Sequence, residues 1–95
     1  MIAMMLDMKG NTDGLRKAYL ATNDELQVQE HFEGLIFHTA GPTPGGFRVL
    51  DVWQSREAFE KFAQRMVPIA QKQGLAADVR PEIWEIENSM KIPTS

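Results

Sequence analysis

The stretch that decides the fold is GLIFHTAGPTPGGFRVLDVWQSREAFEKF, residues 34–62. Two segments in it, Leu35–Thr39 and Phe47–Trp53, are rich in side chains that fit a pleated sheet, which predicts two strands. Between them lies the densest cluster of glycine and proline in the chain, AGPTPGG. Within this cluster Pro44 and Gly45 suit the two central positions of a type II turn. The stretch therefore predicts a β-hairpin.

A helix is predicted to follow the hairpin. Ser55 is a favourable N-cap residue, and apolar residues then recur at helical spacing, at Phe59, Phe62, Ala63 and Met66. Pro68 cannot donate a backbone hydrogen bond to the preceding turn, so we expect the helix to kink or restart there. Gly74 is expected to end the helix as a left-handed cap.

The rest of the chain supplies two more strands and one more helix. The segments Ile2–Met8 and Glu82–Glu87 alternate in polarity or are apolar on both faces, as strands are. Between the first of them and the hairpin, a helix is expected to begin at Asn11 or Thr12. Its apolar face contains Leu15, Ala18, Tyr19 and Leu26. The order β-α-β-β-α-β predicts an α+β, ferredoxin-like fold with a four-stranded antiparallel sheet.

Composition limits the function. The chain has 95 residues, of which 43% are hydrophobic and 24% are charged, which predicts one domain with a core at residues 2–88 and a loose tail at 89–95. The net charge of −3 disfavours a nucleic-acid partner, and the absence of cysteine excludes thiolate chemistry. No apolar run reaches the roughly 18 residues of a membrane span, and the first residues lack a basic signal region. We expect a cytoplasmic protein with no membrane partner.

The strands carry more apolar surface than two helices can cover. On the third strand, alternation places two apolar sets on opposite faces, Phe47, Val49 and Trp53 against Leu50 and Val52. On the second strand the same alternation groups Leu35 with Phe37 and Ile36 with His38. Because both helices are expected on one face of the sheet, a second copy of the chain is expected to cover the other. The sequence thus predicts a homodimer that forms a dimeric α/β barrel.

Residues 34–62 and the later PEIWEI, residues 81–86, resemble small bacterial proteins of the dimeric α/β-barrel superfamily related to the antibiotic biosynthesis monooxygenase (ABM) domain. The most family-like piece is W-x-S-x-E-A-F-x-x-F at residues 53–62, which describes a strand end, a cap and a helix stripe. The resemblance implies a homodimer with a cavity between the sheet and the helices of each protomer. Characterised relatives include oxygenases that act on polycyclic aromatic or quinol substrates without metal or flavin. The haem-degrading branch fits poorly, because the first strand lacks asparagine and the second helix lacks histidine.

Two polar residues inside the strands are candidate catalytic groups. His38 lies in an apolar strand, where an imidazole could act as a general base toward a phenol or quinone oxygen; the alternative is a hydrogen-bonded histidine at the edge of the core. Asp51 shares a strand face with Val49 and Trp53, so that its carboxylate would be desolvated and become a proton acceptor. The alternative for Asp51 is an ion pair across an interface, for example with Arg48 of a second copy.

Four aromatic residues are candidates for substrate binding: Trp53, Trp84, Tyr19 and Phe37. For the two tryptophans the alternative is packing in the core or at an interface. No metal or cofactor is expected. His31 and His38 are seven residues apart and form no HxH or HExxH motif. The segment GPTPGG joins strand to strand, unlike a phosphate-binding loop.

Two functions follow from these residues and the resemblance. The first is a cofactor-independent monooxygenase whose cavity binds a small aromatic or quinol substrate, with His38 or Asp51 as the base. The second is a non-catalytic dimer that binds a small apolar ligand or assists another enzyme. The position of His38 and Asp51 separates them: a cavity shared with Trp53 or Trp84 favours the enzyme, and exposure of both to solvent removes its catalytic residues.

Overall fold

The computed structural model describes residues 1–27, 32–75 and 80–88. These residues form the strands β1 (Ile2–Lys9), β2 (Leu35–Thr43), β3 (Gly46–Trp53) and β4 (Glu82–Glu85), and the helices α1 (Thr12–Gln27) and α2 (Arg56–Lys72). The strands pair antiparallel in the order β2-β3-β1-β4. The predicted α+β, ferredoxin-like fold is confirmed. The predicted tail, residues 89–95, lies outside the described residues.

The hairpin between β2 and β3 is tighter than the sequence predicts. β2 continues to Thr43, and only Pro44 and Gly45 separate it from β3. Gly45 has a φ of 72°, close to the value that a type II turn requires at its third position. Pro42 is tolerated inside β2 because β2 is an edge strand, in which one side needs no partner.

The ends of α2 follow the predicted caps. The Ser55 hydroxyl accepts a hydrogen bond from the backbone N–H of Ala58 at 3.1 Å. At the other end Gly74 adopts a φ of 93°. Its N–H donates to the Gln71 carbonyl at 3.1 Å, while the next N–H, from Leu75, donates to the Ala70 carbonyl at 2.9 Å. This pair of bonds is the Schellman motif.

Of the two alternatives predicted at Pro68, a kink or a restart, the restart is wrong. α2 runs without interruption from Arg56 to Lys72 with Pro68 inside it. The proline removes one backbone hydrogen bond, but Ile69 and Ala70 directly after it are buried. Packing of these two residues therefore holds the last turns in helical form. Neither α1 nor α2, the helices of the described residues, is long and apolar enough to cross a membrane.

A β-bulge at Ile36 changes which side chains of β2 face the helices. Leu35 pairs with Trp53, but Phe37 pairs with Val52 and His38 with Asp51. The extra residue reverses the alternation beyond it. His38 therefore lies on the same face as Leu35, and Phe37 lies on the opposite face. The predicted grouping of Leu35 with Phe37, and of Ile36 with His38, is wrong for this reason.

The two faces of the sheet have different environments. The face toward the helices carries the buried core of the protein, which contains Ile2, Met4, Met8, Phe47, Val49, Trp53 and Phe59. On the opposite face, called here the open face, the register places Met5, Phe37, Leu50, Val52 and Trp84. Phe37 is 55% exposed and Trp84 is 46% exposed. The apolar surplus expected from the sequence is therefore present on the open face.

A substitution at the start of β3 tests how closely this strand approaches β1. A Cβ atom added at Gly46 would lie 2.1 Å from the carbonyl oxygen of Met8, whereas one added at Gly41 would meet nothing within 4 Å. We expect Gly46→Ala to lower the free energy of unfolding by about 1–3 kcal/mol, the usual cost of overpacking, and Gly41→Ala to leave it nearly unchanged. Urea unfolding of both variants measures the difference. Equal stability of the two would contradict the close approach of Gly46 to β1.

Candidate active site

Three polar side chains form a hydrogen-bonded chain on the helix-facing side of the sheet. His38 on β2 and Asp51 on β3 are direct cross-strand partners, and 2.5 Å separates His38 Nδ1 from Asp51 Oδ1. Tyr19, on α1, places its hydroxyl oxygen 2.5 Å from His38 Nε2. We call this arrangement the Tyr19–His38–Asp51 chain. The sequence singled out each of these residues, but not their contact with one another.

When Asp51 is ionised and His38 is neutral, the protons of the Tyr19–His38–Asp51 chain have one direction. Asp51 is 2% exposed, and its second oxygen accepts a hydrogen bond from Trp53 Nε1–H at 3.2 Å. An ionised carboxylate can only accept hydrogen bonds, so the proton of the bond between Asp51 and His38 belongs to Nδ1. A neutral imidazole then has its lone pair at Nε2, toward which the Tyr19 hydroxyl donates. His38 is thereby held in the tautomer that a general base needs.

The environment of Tyr19 favours its protonated form. Burial raises the pKa of the Tyr19 phenol, and the negative charge of Asp51 raises it further. Tyr19 therefore keeps its proton at neutral pH and remains a hydrogen-bond donor to His38. The imidazole side chain is 34% exposed, so solvent can reach the middle of the chain while Asp51 stays buried.

Tyr19 offers a direct test of these electrostatics, because it is the single tyrosine of the protein. We expect an ultraviolet absorbance titration to give a midpoint above the ordinary value of about 10. Since the pKa is higher in the folded protein, folding stability should fall as the pH rises above that ordinary value. Asp51→Asn should lower the midpoint by removing the negative charge. Asp13→Asn, which alters an 82% exposed carboxylate on the same helix, should leave the midpoint unchanged. A midpoint at the ordinary value in the native protein would contradict the proposed environment of Tyr19.

A small cavity lies between the sheet and the helices, and the Tyr19–His38–Asp51 chain forms part of its wall. Its volume is about 60 Å³. The polar part of the wall comes from Tyr19, His38, Asp51, Thr22 and Asn23, and the apolar part from Met4, Leu6, Met8, Leu26, Val49, Phe62, Met66 and Leu75. The Thr22 hydroxyl is already bonded to the Ala18 carbonyl at 2.7 Å. The titratable Tyr19–His38–Asp51 chain therefore faces a mostly apolar cavity.

The four aromatic candidates lie in three different places: the cavity wall, the core beside the cavity and the open face. Tyr19 lines the cavity. Trp53 is fully buried beside it, with its ring centroid 5.0 Å from that of Phe62, and it reaches the cavity wall through its bond to Asp51. Phe37 and Trp84 lie on the open face, away from the cavity. Sequence reasoning could not separate these positions, because the bulge at Ile36 decides the face of Phe37.

Other charged groups lie outside the Tyr19–His38–Asp51 chain. Arg48, on the open face, pairs with Asp7 of β1 at 2.9 Å, which lowers the pKa of the Asp7 carboxyl. His31 lies outside the described residues. Within the described ranges, no group of three or more histidine, cysteine, aspartate or glutamate side chains could hold a metal ion.

A second concavity lies at the start of α2. It has a volume of about 550 Å³ and is lined mainly by polar residues of the segments before and within that helix, including Gln54, Ser55 and Lys61. Lys61 lies 3.7 Å from the carboxylate of Glu57. This groove is larger than the cavity, but it does not include His38, Asp51 or Tyr19. The chemistry-bearing residues therefore belong to the smaller, more apolar space.

Comparisons with known proteins give information on the fold. The sequence matches no protein-family profile and no curated protein. Among solved structures, a candidate antibiotic biosynthesis monooxygenase from Deinococcus radiodurans superposes with a TM-score of 0.69 at 11% identity, covering 99% of this chain and 100% of that one. A variant of SnoaB, a cofactor-independent oxygenase from Streptomyces nogalater, superposes with a TM-score of 0.64 at 13% identity, covering 94% of this chain and 93% of that one.

A third structure, a conserved protein of unknown function from Bacteroides thetaiotaomicron, has a TM-score of 0.62 at 23% identity, with coverage of 90% of this chain and 96% of that one. All three identities are low, so the superpositions define the architecture and not the activity. The protein has the ferredoxin-like fold of ABM-type monooxygenase structures. The resemblance noted in the sequence is confirmed at this level.

Proposed function

We propose that this protein is an ABM-type monooxygenase that oxidises a small phenol or hydroquinone with His38 as the general base. The single observation that carries the proposal is the Tyr19–His38–Asp51 chain in the wall of an apolar cavity. The fold supports it, because a cofactor-independent oxygenase is among the structures that share the architecture.

The proposed reaction begins with a proton transfer through the chain. The substrate hydroxyl donates to the oxygen of Tyr19, whose own proton passes to His38 Nε2 across 2.5 Å. The products of this step are a phenolate, a restored Tyr19 hydroxyl and an imidazolium that Asp51 stabilises from the other side. The buried carboxylate also fixes the orientation of the ring, which is the role of the aspartate in the Ser-His-Asp triad.

The second step uses the electrons of the phenolate. Deprotonation makes the ring electron-rich, and the apolar wall excludes water from it while it reacts with oxygen. One oxygen atom enters the ring to form a quinone, and the other leaves as water after it takes up two protons. A phenol plus O₂ gives a quinone plus H₂O, so the substrate supplies all four electrons.

Oxygen uptake tests this activity. The protein would be incubated with a panel of phenols and hydroquinones, with protein-free samples to correct for autoxidation. We expect uptake on at least one member and a loss of about 100-fold to 10,000-fold in His38→Gln, the usual contribution of a general base. Uptake no greater than in protein-free samples, or equal rates for His38→Gln and the native protein, would contradict the proposal.

A second candidate function is ligand binding without catalysis. The observation in its favour is that the Tyr19 hydroxyl is already hydrogen-bonded to His38 Nε2. The Tyr19–His38–Asp51 chain is therefore complete without a substrate and could act as a structural support. In that case small aromatic compounds would raise the melting temperature, and no member of the panel would be oxidised. The same panel therefore separates binding from catalysis.

We also propose that two copies of the chain pair through the open face, as in a dimeric α/β barrel. The open face carries large apolar side chains, of which Phe37 and Trp84 are half-exposed in a single chain. Among the described residues both helices pack on the other side of the sheet, so a further layer is needed to cover these side chains. A second copy brings the same apolar surface and needs no other partner. Location in the cytoplasm stays a prediction.

A further inference from the structure

We infer that the substrate of this site is an uncharged phenol with a single aromatic ring. This substrate class presupposes the oxygenase activity proposed above, and it narrows that activity to smaller molecules than the polycyclic substrates that the family resemblance implies. Three properties of the cavity lead to it: its volume, its charge and the number of polar groups in its wall.

The volume limits the ligand to one ring. The cavity measures about 60 Å³, whereas a cavity of about 150 Å³ is known to accept benzene. A single ring therefore requires an expansion of the cavity to somewhat more than twice this volume. Met4, Met8 and Met66 supply it, because methionine side chains have three rotatable bonds and adapt to irregular spaces. A second fused ring would require a still larger expansion.

The charge of the wall excludes anions. Among the described residues that line the cavity there is no lysine or arginine, and the Asp51 carboxylate is the charged group. An aromatic carboxylate would lose its hydration without gaining a cationic partner, and it would be repelled by Asp51. The ligand must therefore be neutral when it binds.

The polar groups of the wall specify a hydroxyl. Tyr19 donates its proton to His38 and keeps a lone pair with which it can accept a hydrogen bond from a ligand. The Thr22 hydroxyl is engaged with the Ala18 carbonyl, and the Asn23 side-chain amide, which also lines the cavity, has an oxygen that can likewise accept a hydrogen bond from a hydroxyl. A ligand with one donor hydroxyl on an otherwise apolar ring matches this arrangement, whereas the same ring without the hydroxyl leaves the lone pair of Tyr19 unused.

Calorimetric titration with four matched compounds tests the substrate class. We expect 4-methylphenol to bind at least about tenfold more tightly than each of three other compounds, since tenfold is the usual effect of one mismatch. These compounds are 4-hydroxybenzoate, which carries a charge, toluene, which lacks the hydroxyl, and 1-naphthol, which has a second ring. Failure of 4-methylphenol to bind, or equal binding of any of the other three, would overturn the inference.

A change at Met66 should alter the size limit. Met66 lines the cavity from α2, and Met66→Ala should improve the affinity for 1-naphthol at least about tenfold by removing most of a side chain from the wall. The matched control is Val67→Ala, the next residue on α2, which is 43% exposed and does not line the cavity. Equal affinity of Met66→Ala and Val67→Ala for 1-naphthol would overturn the proposed location of the ring.

The outcomes separate this inference from the proposed function. Selective binding of 4-methylphenol without oxygen uptake would contradict the oxygenase and leave the ligand class standing. Oxygen uptake that is as fast with 1-naphthol or 4-hydroxybenzoate as with 4-methylphenol would support the oxygenase and overturn the ligand class.

Discussion

Asp51→Asn should reduce turnover of a phenol substrate by about 10,000-fold, the loss known for the corresponding change in the Ser-His-Asp triad. Asp51 accepts hydrogen bonds from both Trp53 and His38. An asparagine can accept with only one atom, and if its oxygen stays with the buried Trp53 N–H, its amide group faces His38 Nδ1. The imidazole must then carry its hydrogen at Nε2, where it can no longer accept the Tyr19 proton.

Steady-state kinetics of Asp51→Asn measures this loss. The variant should remain folded, because the carboxamide has nearly the size of the carboxylate, although one poorly satisfied buried group should cost about 1–3 kcal/mol of stability. Near-ultraviolet circular dichroism confirms that the fold is retained. Asp13→Asn, which alters an exposed carboxylate of α1, should keep the native rate. A folded Asp51→Asn protein with a rate within tenfold of the native one would show that Asp51 does not position the base.

If two copies pair through the open face as proposed, Phe37→Glu should raise the dimer dissociation constant at least about 100-fold and leave the variant monomeric. The Phe37 ring is 55% exposed in a single chain, and the proposed pairing buries it. A carboxylate in its place would be desolvated beside apolar residues of the second copy without a partner. Interfaces of ordinary size bury about 800 Å² on each side, and a few central aromatic residues carry most of their affinity.

Sedimentation or light-scattering measurements of mass test the pairing. The matched control is Leu20→Glu, which replaces an apolar residue of similar exposure, 51%, on α1. We expect Leu20→Glu to retain the native dimer mass. A native protein that is monomeric at micromolar concentration, or a dimeric Phe37→Glu variant, would contradict pairing through the open face.

Strand alternation was sufficient to predict much of the fold. The alternation in β3 correctly separated Val49 and Trp53 from Leu50 and Val52, because strands have a strict period of two. The caps of α2 were also local signals, since Ser55 and Gly74 act through their own backbone. The continuation of α2 through Pro68 was not predictable in this way, because it depends on burial of Ile69 and Ala70 in the assembled core.

The site was less predictable than the fold. Polar residues within apolar strands identified His38 and Asp51 as candidates. Their pairing depends on the bulge at Ile36, which has no glycine or other local sequence signal and which places His38 on the helix-facing side. The contact with Tyr19 depends on how α1 packs across β2, and it joins residues 19 positions apart. Register and packing, which arise only in the folded chain, therefore decide the site.

The most direct test of the account is a reaction under ¹⁸O₂ with a single-ring phenol, analysed by mass spectrometry of the quinone. The native protein and His38→Gln would be compared under the same conditions. We expect one ¹⁸O atom in each quinone formed by the native protein and almost no product from His38→Gln, because the base at Nε2 starts the reaction. A product without ¹⁸O, or the same yield of labelled quinone from both proteins, would contradict proton removal by the Tyr19–His38–Asp51 chain as the origin of an oxygenase activity.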